Sequence, residues 1–78
     1  MADIRISEDL WASSMLPEGI VERWLVADGT RVPSGQPLVL VRIEDALHEI
    51  TAPISGHLTI GAASNDVIEP GAVIGQVA

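Results

Sequence analysis

Apolar residues come in short runs of Val, Ile and Leu broken by Gly and Pro, the composition of strands and turns. Ile4 and Ile6 alternate with Asp3 and Arg5, which predicts a half-buried strand over 3–6. Residues 7–17 mix serines and acids with Trp11, Met15 and Leu16, and read as a loop with room for one helical turn. A second strand is predicted over 19–26, with imperfect alternation, and Asp28-Gly29 ends it with a strong turn signal. A further turn follows at Pro33-Ser34-Gly35. The run 37–43 is the most apolar, with Leu38, Leu40 and Arg42 expected on one face and Val39, Val41 and Ile43 on the other. Strands are also predicted over 47–51, 57–60 and 73–77, with minor pairings near 30–32 and 67–69. That many strands in 78 residues leave almost no room for a helix, so the fold class is all-β.

The two halves of the chain echo each other. Val32-Pro33-Ser34-Gly35 returns as Ile68-Glu69-Pro70-Gly71, and Leu38-(x)2-Val41 as Ile74-(x)2-Val77. Gly19-(x)4-Trp24 has a looser counterpart in Gly56-(x)3-Ile60. Half-domains that cannot bury their apolar faces alone pair into one flattened sandwich or barrel about a pseudo-twofold axis. Gly35 and Gly71 are then expected at equivalent turns.

Composition narrows the function classes. Eleven acids against four arginines give a net charge of −7, which argues against nucleic acid and anionic membranes as partners. Without cysteine there is no disulfide framework, no thiolate nucleophile and no Cys-ligated metal. No segment approaches the roughly 20 apolar residues of a membrane span, and Met1 to Arg5 lack the basic start and apolar run of a leader. The expectation is a cytoplasmic domain. The 78 residues make one domain, 1–78, with little surplus apolar burial for a deep solvent-excluded site, so it is not expected to be an enzyme.

Candidate chemistry is sparse. Glu44, Asp45 and Glu49 flank a tight turn with His48, which reads either as a site for a divalent metal or cationic partner or as a solvated turn that blunts exposed strands. The second is preferred, and no metal site is expected. His48 and His57 have no partner serine or cysteine in a catalytic motif and are expected on exposed strands or turns. Ser34, Ser55 and Ser64 lie in Gly/Pro-rich turns, where hydroxyls cap backbone groups. The glycines lack phosphate-loop spacing and read as positions of positive φ or close strand approach. Trp24 reads as half-buried core, and Trp11 as either a cover over the core or an exposed contact residue.

A family resemblance rests on four segments. They are Ile20-Val21-Glu22-Arg23-Trp24-Leu25-Val26-Ala27-Asp28-Gly29, Val32-Pro33-Ser34-Gly35-Gln36-Pro37-Leu38, Glu49-Ile50-Thr51-Ala52-Pro53-(x)2-Gly56-His57-Leu58, and the closing Asp66-Val67-Ile68-Glu69-Pro70-Gly71-(x)2-Ile74-Gly75. In this order the chain resembles the biotinyl/lipoyl attachment domain, the swinging-arm carrier of 2-oxo acid dehydrogenase complexes and biotin-dependent carboxylases, and it leans toward the lipoyl branch. The resemblance implies a flattened barrel-sandwich hybrid of two four-stranded sheets, with the modified lysine on a hairpin turn between two central strands. In the lipoyl branch that lysine sits in Asp-Lys-Ala.

Counting back from Glu49-Ile50-Thr51-Ala52-Pro53 places Glu44 on the family's aspartate, Asp45 on its lysine and Ala46 on its alanine. The chain contains no lysine at all, since its four basic residues are Arg5, Arg23, Arg31 and Arg42. Lipoylation or biotinylation forms an amide on a lysine amine, so no covalent cofactor is expected. The implied function is that of a degenerate carrier-like domain, a noncatalytic binding or assembly module with a protein partner in a multienzyme complex. The alternative is a lipoyl-binding or acyl/carboxyl carrier-associated component of a 2-oxo acid dehydrogenase or biotin-dependent carboxylase system, whose partner supplies the cofactor noncovalently.

Overall fold

The computed structural model describes residues 1–12, 14–15 and 17–78. It has eight strands: β1 (Ala2–Arg5), β2 (Gly19–Trp24), β3 (Arg31–Val32), β4 (Pro37–Ile43), β5 (Ala46–Thr51), β6 (Gly56–Ile60), β7 (Val67–Ile68) and β8 (Val73–Val77). The one helical element among the described residues is a 3₁₀ turn at Glu8–Trp11, opened by Ser7, whose side chain accepts from the Asp9 N–H at 3.2 Å. It falls in the loop expected over 7–17, of which Ser13 and Leu16 lie outside the described residues.

The strands form two antiparallel four-stranded sheets, ordered β1-β8-β6-β3 and β5-β4-β2-β7. Exchanging β1 with β5, β2 with β6, β3 with β7 and β4 with β8 turns one order into the other, so the expected pseudo-twofold is present in the topology. At the Gly35 and Gly71 turns it holds bond by bond. Gly35 N–H donates to Ala52 O and Ala52 N–H to Gln36 O; in the other half Gly71 N–H donates to Ile6 O and Ile6 N–H to Ala72 O, all at 2.8–2.9 Å. Gly35 and Gly71 hold φ of 87° and 83°, a left-handed conformation that glycine adopts at no steric cost.

Inward side chains from both sheets make one core, with Ile4, Ile6, Val21, Val32, Leu38, Val39, Val41, Leu58, Ile74 and Val77 fully buried. Two bulges change the expected facing. Pro37 pairs with Thr51 but Val39 with Ile50, so Leu38 is the extra residue and enters the core beside Val39 instead of sharing an outer face with Leu40. In β2 the register passes from Val21↔Val41 to Arg23↔Leu40, which makes Glu22 the extra residue. An extra residue inverts the alternation beyond it, which explains why Val21 is buried while Trp24, three positions on, is also drawn inward.

The two tryptophans take different roles. Trp24 is half-buried, as expected, and its Nε1–H donates to Ala62 O at 2.8 Å. Trp11 is only 8% exposed, so it is a cover and the contact reading falls away. The absence of a side chain at Gly19 makes room for it: a Cβ there would lie 3.2 Å from Trp11 Cζ2 and 3.1 Å from Ile43 Cγ1. No helix among the described residues is long and apolar enough to cross a membrane.

Candidate functional site

β4 and β5 form a hairpin whose last pair is Ile43↔Ala46, leaving Glu44-Asp45 as a two-residue turn. Glu44 has φ of 54°, whereas Asp45 stays on the negative side, the sign pattern of a II′ turn, where the first position usually belongs to glycine. A left-handed glutamate costs on the order of 1 kcal/mol. Two features offset it. The ladder beneath pins the strands in register, and Glu44 Oε1 accepts a hydrogen bond from the Met15 backbone N–H at 2.9 Å. That bond ties the long loop before β2 to the hairpin tip. Nothing in the sequence signals it, because it joins positions 29 apart through a backbone donor.

Asp45 and Ala46 are exposed at the tip. Between the hairpin and the loop lies an open cleft of about 280 Å³, with Asp9, Leu10 and Ser14 on the loop side and Glu44, Ala46 and His48 on the hairpin side. His48 is half-buried there, not fully exposed as the turn composition suggests, because strand alternation turns it and Ile50 inward. Glu49 is exposed on the outer face of the same strand. His57 is exposed on β6 of the opposite sheet, so the two imidazoles do not meet. Among the described residues no three His, Asp or Glu side chains gather within reach of a metal. Of the serines, Ser55 caps a turn, its Oγ accepting from Ser34 N–H at 3.1 Å.

The chain is thus a β-sandwich of two four-stranded sheets whose β4–β5 hairpin ends in an exposed tip and, with β5 the edge strand, lies at the margin of its sheet and not between two central strands. Residues 12–77 match the biotin–lipoyl family, described as biotin-requiring enzyme, and the chain belongs to that family. Its members are carrier domains. Among solved structures the chain is similar to the solution structure of the lipoyl domain of the 2-oxoglutarate dehydrogenase complex from Azotobacter vinelandii, with a TM-score of 0.76 and 20% identity, over 100% of this chain and 96% of that one. At that identity the likeness speaks for the fold alone. No curated protein matches the chain in sequence.

Proposed function

We propose that this chain is a lipoyl-type domain without a covalent cofactor, acting as a noncatalytic binding or assembly module for a protein partner in a cytoplasmic multienzyme complex. All 78 residues act as one domain, and Asp45 stands at the family's attachment position with Glu44 and Ala46 beside it. The observation that carries this reading is an exposed carboxylate at the hairpin tip of a chain that has no lysine. Lipoate and biotin do not fit that tip. An amide needs an amine as its nucleophile, and Asp45 offers an anion that repels the carboxylate of either cofactor.

The test is intact-mass spectrometry on the wild-type chain and on Asp45→Lys after incubation with a lipoate ligase, ATP and lipoate, and separately with a biotin ligase, ATP and biotin. The wild-type chain is expected to gain nothing and the variant one lipoyl mass, at partial yield because Glu44 replaces the family's aspartate. A wild-type chain that gains a cofactor mass overturns the reading. A folded Asp45→Lys protein that neither enzyme modifies overturns the narrower claim that residue 45 alone switches attachment off.

A further inference from the structure

The exchange relating the two sheets gives each surface residue a counterpart, which separates what the fold requires from what it merely permits. On the outer face of the second sheet, strand register places Leu47, Arg42, Ile20 and Val67 in one row across all four strands. The three apolar members are 53%, 41% and 60% exposed. Scattered exposed aliphatics need no explanation, but Ile20 and Val67 stand directly side by side, with Leu47 in the same row beyond Arg42. The ladder Gly19↔Ile68, Ile20↔Val67 corresponds to Gly56↔Val32, His57↔Arg31 in the other sheet. The same position accepts an imidazole beside a guanidinium there, so packing does not demand Ile20 beside Val67.

The row is also electrically distinctive. Arg42 donates to Glu22 at 2.6 Å, the one ion pair among the described residues, and its charge is balanced within the sheet. Between Ile20, Val67 and Arg42 lies a shallow depression of about 220 Å³, with Glu18 and Glu44 on its rim. Glu18 and Glu44 line the depression and neither forms an ion pair among the described residues, while one oxygen of Glu44 accepts the Met15 N–H. Glu44 is also the first residue of the hairpin turn, so the depression adjoins the tip.

We propose that this row is a docking surface for a partner protein that presents an apolar side chain ringed by basic residues, the apolar group over Ile20 and Val67 and the cations against Glu18 and Glu44. The proposal rests on the reading of the chain as a binding module. Charge selects the occupant: a second copy would bring another −7 and the same carboxylates, and an anionic lipid surface is repelled for the same reason.

The test is an NMR titration of the isotope-labelled chain with an amphipathic helical peptide that carries leucines on one face flanked by arginines, and with the same peptide carrying glutamates instead. The arginine peptide is expected to shift the amides of residues 18–20, 42–44, 47 and 67, and the glutamate peptide to shift none. The double variant Ile20→His, Val67→Arg installs what the other sheet already carries at that register, so it should fold, and it is expected to bind the arginine peptide at least tenfold more weakly. Shifts centred on the opposite sheet, undiminished binding by the double variant, or equal binding of the glutamate peptide would overturn the proposal. Concentration-dependent dimerisation abolished by the double variant would overturn it too, by assigning the row to a second copy. None of these readouts depends on the state of residue 45, which the ligase experiment measures, so failure of the docking surface and failure of the cofactor-free reading are told apart.

Discussion

The two sheets share one strand order and differ most at one corner. In the second sheet β4 runs into β5 through Glu44-Asp45, whereas at the equivalent corner of the first sheet β8 lies beside β1, Val77 against Ala2, with no turn joining them. The first sheet pairs there without a covalent link, so the fold does not dictate the sequence of the turn in the second. The same holds for the outer faces, where Ile20 and Val67 stand in for His57 and Arg31. What survives the exchange is architecture, and what breaks it is available to function.

Substitutions that force the sheets to be alike, or make them more unlike, test this division. A large effect is expected at Gly75, whose counterpart is the fully buried Val39. The Thr59 backbone blocks a side chain there: a Cβ on Gly75 would lie 2.6 Å from Thr59 O, with Ile4 Cδ1 at 3.3 Å and Trp24 Cη2 at 3.4 Å behind it. Gly75→Val, which would make the sheets more alike, should cost about 3 kcal/mol or more through overpacking, read as a fall in the urea midpoint.

Next come the tryptophans. Trp11→Ala should cost about 3 to 5 kcal/mol, and Trp24→Ala about 2 to 3 because part of its ring is already in water. The reverse order in denaturation would mean that Trp11 is not the seal of its end of the sandwich. Trp11 Nε1 is buried without a hydrogen-bond partner among the described residues. Trp11→Phe removes that donor along with some apolar area and should therefore stay within about 1 kcal/mol of wild type.

Effects at the hairpin are smaller. Glu44→Ala loses the bond to Met15 and keeps the left-handed backbone, whereas Glu44→Gly loses the bond and relieves the strain. The glycine variant should be the more stable of the two by about 1 kcal/mol in thermal or urea unfolding. Asp45→Ala should shift stability by at most about 0.5 kcal/mol, as befits an exposed turn residue.

Turns were the most legible part of this fold in the sequence, because their chemistry is local. Pro33-Ser34-Gly35 and Pro70-Gly71 sit where the chain turns, and most strands lie within a residue or two of the apolar runs that announce them. The bulges were not legible: whether Leu38 or Glu22 is skipped depends on which residues of the partner strand stand opposite. Trp11 was ambiguous for a similar reason, since its burial depends on Gly19 and Ile43 in other elements. The hairpin tip could be located by counting back from Glu49-Ile50-Thr51-Ala52-Pro53. Its tie to Met15 and the row formed by Leu47, Arg42, Ile20 and Val67 emerge only once register brings four separate strands side by side.

The exchanged strands also lead to an expected order of folding events, which φ-value analysis of the β4–β5 and β1–β8 pairs would check. β3 leaves its own half to pair with β6, and β7 leaves its own to pair with β2, so neither half of the chain holds a complete sheet. Only the β4–β5 hairpin closes over a short loop, while β1 must wait for β8 from the far end of the chain. Closing distant loops spends chain entropy before any contact repays it, which makes refolding of such a small domain slow, on the order of milliseconds to seconds. The hairpin that carries Asp45 is the natural first structure to form, and the β1–β8 edge the last to be secured.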